Sequence, residues 1–155
     1  MTIAAGSFIP YNIFVTANIS TARSPETQIS HLFSIIGQPV RIQILAIIGN
    51  EPACVCHLEA VLGLRQASIS QHLMVLRKAN LVAAQREGRN IFYRLVQPGV
   101  LQVIEQAAVF AGMSPGVLSA LAVRPVAGCP CPQCNPGIDP ELSCKTLSSS
   151  KSSSF

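Results

Sequence analysis

Residues 54–95 read CVCHLEAVLGLRQASISQHLMVLRKANLVAAQREGRNIFYRL, and this stretch decides the fold. Apolar side chains recur at helical spacing over 54–62, and Gly63 favours the left-handed backbone that ends a helix. A second helix is predicted over about 66–79, because three apolar side chains share one of its faces: Ile69, Leu73 and Leu76. Two short helices joined by a tight turn are typical of a helix-turn-helix.

A strand pattern follows the second helix. The segments 81–85 and 90–95 flank Arg86-Glu87-Gly88-Arg89, which predicts a β-hairpin with glycine at the turn. Two sets of side chains alternate along the second strand, so one face of it can be buried. The two sets are Ile91, Tyr93 and Leu95, and Asn90, Phe92 and Arg94. The sequence therefore predicts a mainly α fold with a small β-hairpin, a winged helix-turn-helix.

Positive charge is concentrated in the same stretch. Six basic side chains lie between residues 65 and 94 against one acidic side chain, Glu87, while the whole chain carries a net charge of +4. This concentration is typical of a phosphate-binding surface, and the polar start of the second helix can read base edges. The alternative is a charged face that is only in contact with solvent. The helix pattern, the hairpin and the charge together favour DNA binding. The predicted DNA-binding residues are Arg65, Gln66, Ser68, Ser70, Gln71, Lys78, Arg86 and Arg89.

From about residue 29 to residue 106 the chain resembles the ArsR/SmtB family of winged-helix, metal-responsive repressors. In arsenic- and cadmium/lead-sensing members the Cys-Val-Cys box is the metal(loid) site, so the resemblance implies sensing of a thiophilic ion. The chain departs from the family at His57, where an acidic residue is common, and at Arg65, where a serine commonly caps the helix. The other common family site, an Asp/His set on the last helix, is absent from 100–112. The motifs that carry the resemblance are Cys54-Val55-Cys56-His57-Leu58, Gly63-Leu64-Arg65-Gln66, Ser70-Gln71-His72-Leu73, Leu76-Arg77 and Arg86-Glu87-Gly88-Arg89.

The first two of the six cysteines lie at the start of the helix-turn-helix. Within a regular helix Cys54 and Cys56 would point roughly 200° apart and could not share an ion. They converge if Cys54 precedes the helix as its N-cap and Cys56 is its second residue, where the helix dipole lowers the pKa of a thiol. Convergent thiolates select soft ions, and the candidate inducers are As(III), Cd(II), Pb(II) and Zn(II). The alternative is that Cys54 and Cys56 bind no ion and are two small, partly buried residues at the start of a helix.

The other four cysteines follow in a Pro-rich segment as C-x-C-x2-C-x9-C: Cys129, Cys131, Cys134 and Cys144. Alone they would satisfy a four-thiolate zinc site, and a disordered cysteine-bearing tail is the alternative. Because two sulfurs do not complete a thiolate site, we expect at least one of Cys129, Cys131 and Cys134 to join Cys54 and Cys56, from the partner protomer. His57 follows Cys56 directly, which suits a capping or surface residue better than a ligand of the same ion.

The flanking segments complete the domain plan. Residues 1–23 are expected to form a flexible arm, 24–123 the DNA-binding and dimerisation domain, 124–144 a Cys/Pro-rich loop and 145–155 a disordered Ser-rich tail. Helices are predicted from Pro25 to about residue 36, over 40–48, over 100–112 as the dimerisation helix, and from Pro115 to about residue 123.

The chain is 49% hydrophobic and 12% charged, so surplus apolar surface is expected in a homodimer interface. No apolar run reaches eighteen residues and no basic segment precedes the first apolar residues, which predicts a cytoplasmic protein without a membrane span.

These features predict a homodimeric repressor that binds operator DNA until a thiophilic ion binds. A repressor of the same fold that senses oxidants or persulfides by forming a disulfide is the main alternative. A thiol oxidoreductase with a DNA-binding module would need a βαβ region beside its C-x-x-C motif, and the chain has that spacing only at Cys131 and Cys134. We therefore expect no enzymatic activity.

Overall fold

The computed structural model describes residues 24–49, 51–88 and 90–138. The predicted arm 1–23, the tail 145–155, Arg89 and Cys144 lie outside the described residues. In chain order the elements are α1 (Pro25–Ile36), α2 (Pro39–Ile48), β1 (Ala53–Cys54), α3 (Val55–Leu62), α4 (Gln66–Lys78), β2 (Val82–Glu87), β3 (Asn90–Leu95), α5 (Gly99–Phe110) and a 3-10 helix (Ser119–Ala122).

Helix α2 is the centre of the core. Its last five residues, 44–48, are all buried, as the apolar pattern of this segment predicts. They pack in one cluster with the inward face of α4, whose side chains Ile69, Leu73 and Leu76 are at most 1% exposed. Each such side chain contributes about 1.5–3 kcal/mol through the apolar area that it removes from water. The core therefore holds α4 firmly while its opposite face remains in solvent.

The helix-turn-helix and the wing are present as predicted. Helix α3 ends at Gly63, whose φ of 64° is the left-handed conformation, and α4 begins three residues later. Strands β2 and β3 pair antiparallel from Val82 opposite Leu95 to Glu87 opposite Asn90. The short strand β1, which the sequence does not predict, adds to the other edge of β3 and places Cys54 opposite Phe92.

The faces of β3 depart from simple alternation. Tyr93 is buried as expected, but Ile91 is 45% exposed and Phe92 only 4%. The physical reason is that other parts of the protein pack against both faces of β3 at residues 92 and 93. The main core covers Tyr93, and cysteines from 124–138 cover Phe92.

The predicted helix over 115–123 is wrong. Gly116 has a φ of 74° and its N–H donates to Glu105 Oε1 on α5, so the chain turns there instead of continuing as a helix. Only the 3-10 helix at 119–122 follows.

Among the described residues, no single helix is long and apolar enough to cross a membrane. Helices α1 and α2 reach that length and composition only together, and the pair is bent by 86° at their junction.

Candidate metal centre and nucleic-acid interface

The segment after the 3-10 helix folds back onto the start of α3, and Arg124 holds it there. The Arg124 guanidinium donates through Nη2 to the carbonyl oxygens of Glu51 and Pro52, at 3.2 and 2.9 Å. Its Nη1 donates to Gln133 Oε1 at 2.7 Å, and its Nε lies 3.2 Å from the Glu51 carboxylate. One side chain thus connects the start and the middle of the returning segment to the turn before β1.

Cys54 and Cys56 have the local geometry that lets them converge. Cys54 is the N-cap of α3 with extended φ and ψ of −83° and 166°, and Cys56 is the second residue of the helix. Their sulfur atoms are 2.8 Å apart and both residues are buried. No side-chain hydrogen bond caps α3, which leaves the Cys54 thiol available to its sulfur neighbours.

Tight turns bury the loop cysteines against this pair. The N–H groups of Cys134 and Asn135 both donate to the Cys131 carbonyl oxygen, at 3.1 and 3.0 Å. The Asn135 side-chain amide donates to the carbonyl oxygens of Cys129 and Cys131. The three cysteines are 3%, 0% and 8% exposed, and they form one cluster with Cys54, Cys56 and Phe92.

The ligand atoms form two groups that share one sulfur. In the first group, the sulfurs of Cys54, Cys56 and Cys129 lie within 4.8 Å of one another. In the second group, the same spacing joins a histidine nitrogen to three sulfurs: His57, Cys129, Cys131 and Cys134. A loop cysteine thus joins the pair as expected, but within one chain rather than from the partner protomer, because the segment's own return onto α3 brings Cys129 to the pair.

His57 is the residue that the sequence reasoning misplaced. It is fully buried rather than at the surface, and its Nδ1 lies 3.2 Å from Cys134 Sγ. Its Nε2 is buried without a hydrogen-bond partner among the described residues. The sequence feature that could have identified His57 as a ligand is its position directly after Cys56. Neighbours at the start of a helix point about 100° apart, so the two can serve different groups of ligands.

Proton sharing differs among the five sulfurs. Hydrogen bonds from Cys54 and then Cys56 lower the pKa of the Cys129 thiol, and the same bond to Cys129 raises the pKa of Cys54. Burial raises the pKa of Cys131 to about 12 and also raises the pKa of Cys134. Among these four thiols the favoured thiolate is therefore Cys129, the one sulfur that both groups contain.

Most of the predicted DNA-binding residues are exposed. Arg86 is held in the wing turn by its Nε, which donates to the Gly88 carbonyl oxygen at 3.0 Å. Ser68 is half-buried, and Arg65 precedes α4 without a side-chain capping bond, as its departure from serine implies. The exposed members are Arg65, Gln66, Ser70, Gln71, Lys78 and Arg86.

Comparison with known proteins places this architecture among transcriptional regulators. The family model described as "Bacterial regulatory protein, arsR family" matches residues 38–84, which hold nearly all of α2 and the whole of α3 and α4. The chain is 30% identical over 81 residues to a transcriptional repressor SmtB homolog of Synechocystis, a match covering 52% of this chain and 61% of the relative. It is 35% identical over 79 residues to the biofilm growth-associated repressor of Agrobacterium fabrum, covering 51% and 68%.

A solved structure has the same fold. It is the homodimeric winged helix-turn-helix DNA-binding domain Mb0332 of Mycobacterium bovis, with a TM-score of 0.50 and 21% identity over 61% of this chain and 91% of that chain. The helix-turn-helix thus matches the family model, and the alignment with the Agrobacterium repressor extends over more than two thirds of that protein. On these grounds the chain belongs to the ArsR/SmtB family of transcriptional repressors.

Proposed function

We propose that this protein is a homodimeric, cytoplasmic repressor that leaves its operator when a thiophilic metal(loid) ion binds at the start of α3. As(III) is the first candidate, followed by Cd(II), Pb(II) and Zn(II), because buried thiolates select soft ions. The observation that carries the proposal is the convergence of Cys54, Cys56 and Cys129 at the first helix of the helix-turn-helix.

The exposed face of α4 and the wing supports the DNA-binding half of the proposal. Gln66, Ser70 and Gln71 lie in solvent near the start of α4, where a recognition helix meets base edges. Basic side chains on α4 and the wing, including Lys78 and Arg86, are exposed as well and suit phosphate contacts. Arg89 belongs to the same proposal by its place in the wing sequence.

Exposed apolar side chains at two helices support the homodimer. On α1, Ile29 and Phe33 are 55% and 52% exposed, and at the end of α5 Phe110 is 94% exposed. Large apolar side chains this exposed on neighbouring turns are typical of an interaction surface. We place the second copy there, with α1 and α5 as the dimerisation helices.

An inducer acts by binding one conformation more tightly than another. An ion at Cys54, Cys56 and Cys129 draws the N-cap and the first turn of α3 toward one shared sulfur, and α3 packs against α4 through the core that holds Leu58 and Ile69. The ion-bound conformation would therefore hold α4 in a position with poor operator affinity. Linkage requires that operator DNA weaken ion binding by the same factor.

The runner-up is a redox sensor of the same fold. The 2.8 Å separation of the Cys54 and Cys56 sulfurs favours it, because a disulfide needs only a further approach to about 2.05 Å. Two thiols would lose two protons and two electrons to hydrogen peroxide, which leaves as two molecules of water, or to a persulfide, whose two sulfurs leave as a thiol and hydrogen sulfide.

Titration of the reduced protein separates the two functions. Operator binding is followed by fluorescence anisotropy during addition of As(III), Cd(II), Pb(II), Zn(II) or hydrogen peroxide. We expect an ion to release the DNA, and the Cys54→Ser/Cys56→Ser variant to bind the operator but no longer release it. Cys144→Ser, which removes a thiol outside both groups of described ligands, is the matched control and should respond like the natural chain. Ion-driven release that persists in the double variant would contradict the proposal, and release by peroxide alone would favour the redox sensor.

A further inference from the structure

The second ligand group has a chemistry of its own. We propose that His57, Cys129, Cys131 and Cys134 hold a resident zinc ion that fixes the returning segment to α3, separate from the inducer, with Cys129 bridging both ions. This role does not depend on DNA release.

The donor set is that of a structural zinc site. Three thiolates and one imidazole bind zinc tetrahedrally at about 2.3 Å for sulfur and about 2.0–2.1 Å for nitrogen, which places ligand atoms about 3.5–3.8 Å apart. In the structure, His57 Nδ1 lies 3.2 Å from Cys134 Sγ, and all four ligand atoms lie within 4.8 Å of one another. The spacing that zinc requires falls between these two distances. Zinc closes this arrangement with small movements of side chains.

Burial distinguishes this group from an open, catalytic metal site. All four ligand residues are buried, and Cys131 is 0% exposed. A closed four-ligand set without access for water is typical of structural zinc. Nothing else among the described residues explains a fully buried imidazole aimed at three thiols.

The loop itself needs such a cross-link. Its described part, 124–138, contains no helix or strand, and the one partly buried hydrophobic that it packs onto the cysteine cluster is Val126. Little apolar area therefore holds about fifteen residues in a single conformation, against the loss of backbone entropy in each. A metal ion bound by three of the loop's side chains supplies the missing stabilisation.

One ion cannot take every ligand. Within the described residues no group joins all six ligand atoms at the spacing of a single coordination shell, and the two groups overlap only at Cys129. A thiolate sulfur keeps free lone pairs after binding one ion. Cys129 can therefore bind zinc on one side while it faces Cys54 and Cys56 on the other.

Zinc binding to the full, reduced chain tests the site without DNA. Affinity is measured by competition with a chromophoric chelator, and Co(II) serves as a spectroscopic probe whose charge-transfer bands count the thiolates. We expect one tightly held zinc ion per chain in the natural protein and in the Cys54→Ser/Cys56→Ser variant. His57→Ala and Cys134→Ser should each weaken zinc binding at least about a hundredfold, since even the loss of an outer partner of a ligand costs about 10–100-fold.

Two further variants keep the test decisive if His57→Ala folds poorly. His57→Cys should retain zinc and give the Co(II) spectrum of four thiolates, whereas His31→Ala, an exposed histidine on α1, is the matched control and should change nothing. Natural zinc affinity in Cys134→Ser, or equal loss of zinc in the Cys54→Ser/Cys56→Ser variant, would overturn the site.

Mass spectrometry under native conditions tests the shared sulfur. As(III) added to the zinc-loaded chain should give a species with both ions bound, because As(III) takes three sulfurs and leaves the imidazole group to zinc. Release of one zinc for each As(III) bound would overturn the bridge. Because this readout involves no operator, it fails or succeeds independently of the proposed repressor function.

Discussion

Cys129 is the residue on which the chemistry of the whole cluster depends. It is the sulfur common to both ligand groups and the one whose pKa lies below its usual range, through hydrogen bonds from Cys54 and then Cys56. Its thiolate is ready for an ion, whereas buried Cys131 and Cys134 must first lose their protons. This contrast fixes how zinc binding responds to pH.

We expect the zinc affinity to rise by about two decades for each unit of pH between 6 and 8. Cys131 and Cys134 have raised pKa values, so both are protonated throughout this range and each releases a proton when zinc binds. Each released proton contributes about tenfold per pH unit. Competition titrations at pH 6, 7 and 8 measure the slope, and a flat profile would show that the free sulfurs are already ionised.

His57 shows why the second ligand group could not be predicted from the sequence. Adjacent residues such as Cys56 and His57 are poorly placed to bind the same ion, but they can bind two different ions. The structure separates them by group, Cys56 toward Cys54 and His57 toward Cys134. Only the return of residues 124–138 onto α3 creates the second group, and such a long-range contact leaves no local pattern.

At the scale of elements, we expect α4 and the wing to have different roles in the proposed DNA recognition. We expect Arg86→Ala to weaken binding to every sequence equally and to lower the dependence of log affinity on log salt by about one unit. Gln71→Ala should keep the salt dependence and reduce preference for the operator, by about 1–3 kcal/mol at the base it reads. Anisotropy titrations with operator and scrambled DNA at several salt concentrations measure both. Losses of the same kind in both variants would contradict this division.

Strand β3 offers a matched pair of neighbours. Phe92, 4% exposed, lies beneath the cysteine cluster, whereas Ile91 is 45% exposed. Phe92→Ala should lower the free energy of unfolding by about 3–5 kcal/mol through the lost apolar area and the cavity left behind. Ile91→Ala should cost much less, and denaturant unfolding of both variants compares them. Equal costs would mean that the returning segment does not cover this face in solution.

The elements themselves were predictable where their causes are local. Helices α2, α3 and α4 follow from spacing, from proline at residue 39 and from glycine at residue 63, and the structure confirms them. Strand β1 has two residues and owes its existence to pairing with β3, so no periodicity announces it. The failed helix near Gly116 likewise depends on a bond to Glu105, eleven residues earlier.

Across the whole molecule, the proposed ligands come from two separate parts of the chain, the start of α3 and the segment 124–138. A chain ending at Arg124 keeps α1 to α5 and should still bind the operator, but it should lose most of its ion affinity because it lacks the three loop cysteines. Operator anisotropy and chelator competition on this truncated chain measure the two properties. The control is the full-length Cys129→Ser variant. It lacks the shared sulfur but keeps the segment 124–138 that packs over Phe92. Unchanged affinity and stoichiometry after truncation would make the loop a spectator.

The contact between His57 and Cys134 spans 77 residues of chain. At a synthesis rate of about 5–20 residues per second, the ribosome completes that distance in about 4–15 s. Synthesis passes through α4 and the wing in the first half of this interval, and the loop cysteines that complete both ligand groups follow only at its end. In each newly made molecule the winged helix-turn-helix is thus synthesised before either ligand group is complete.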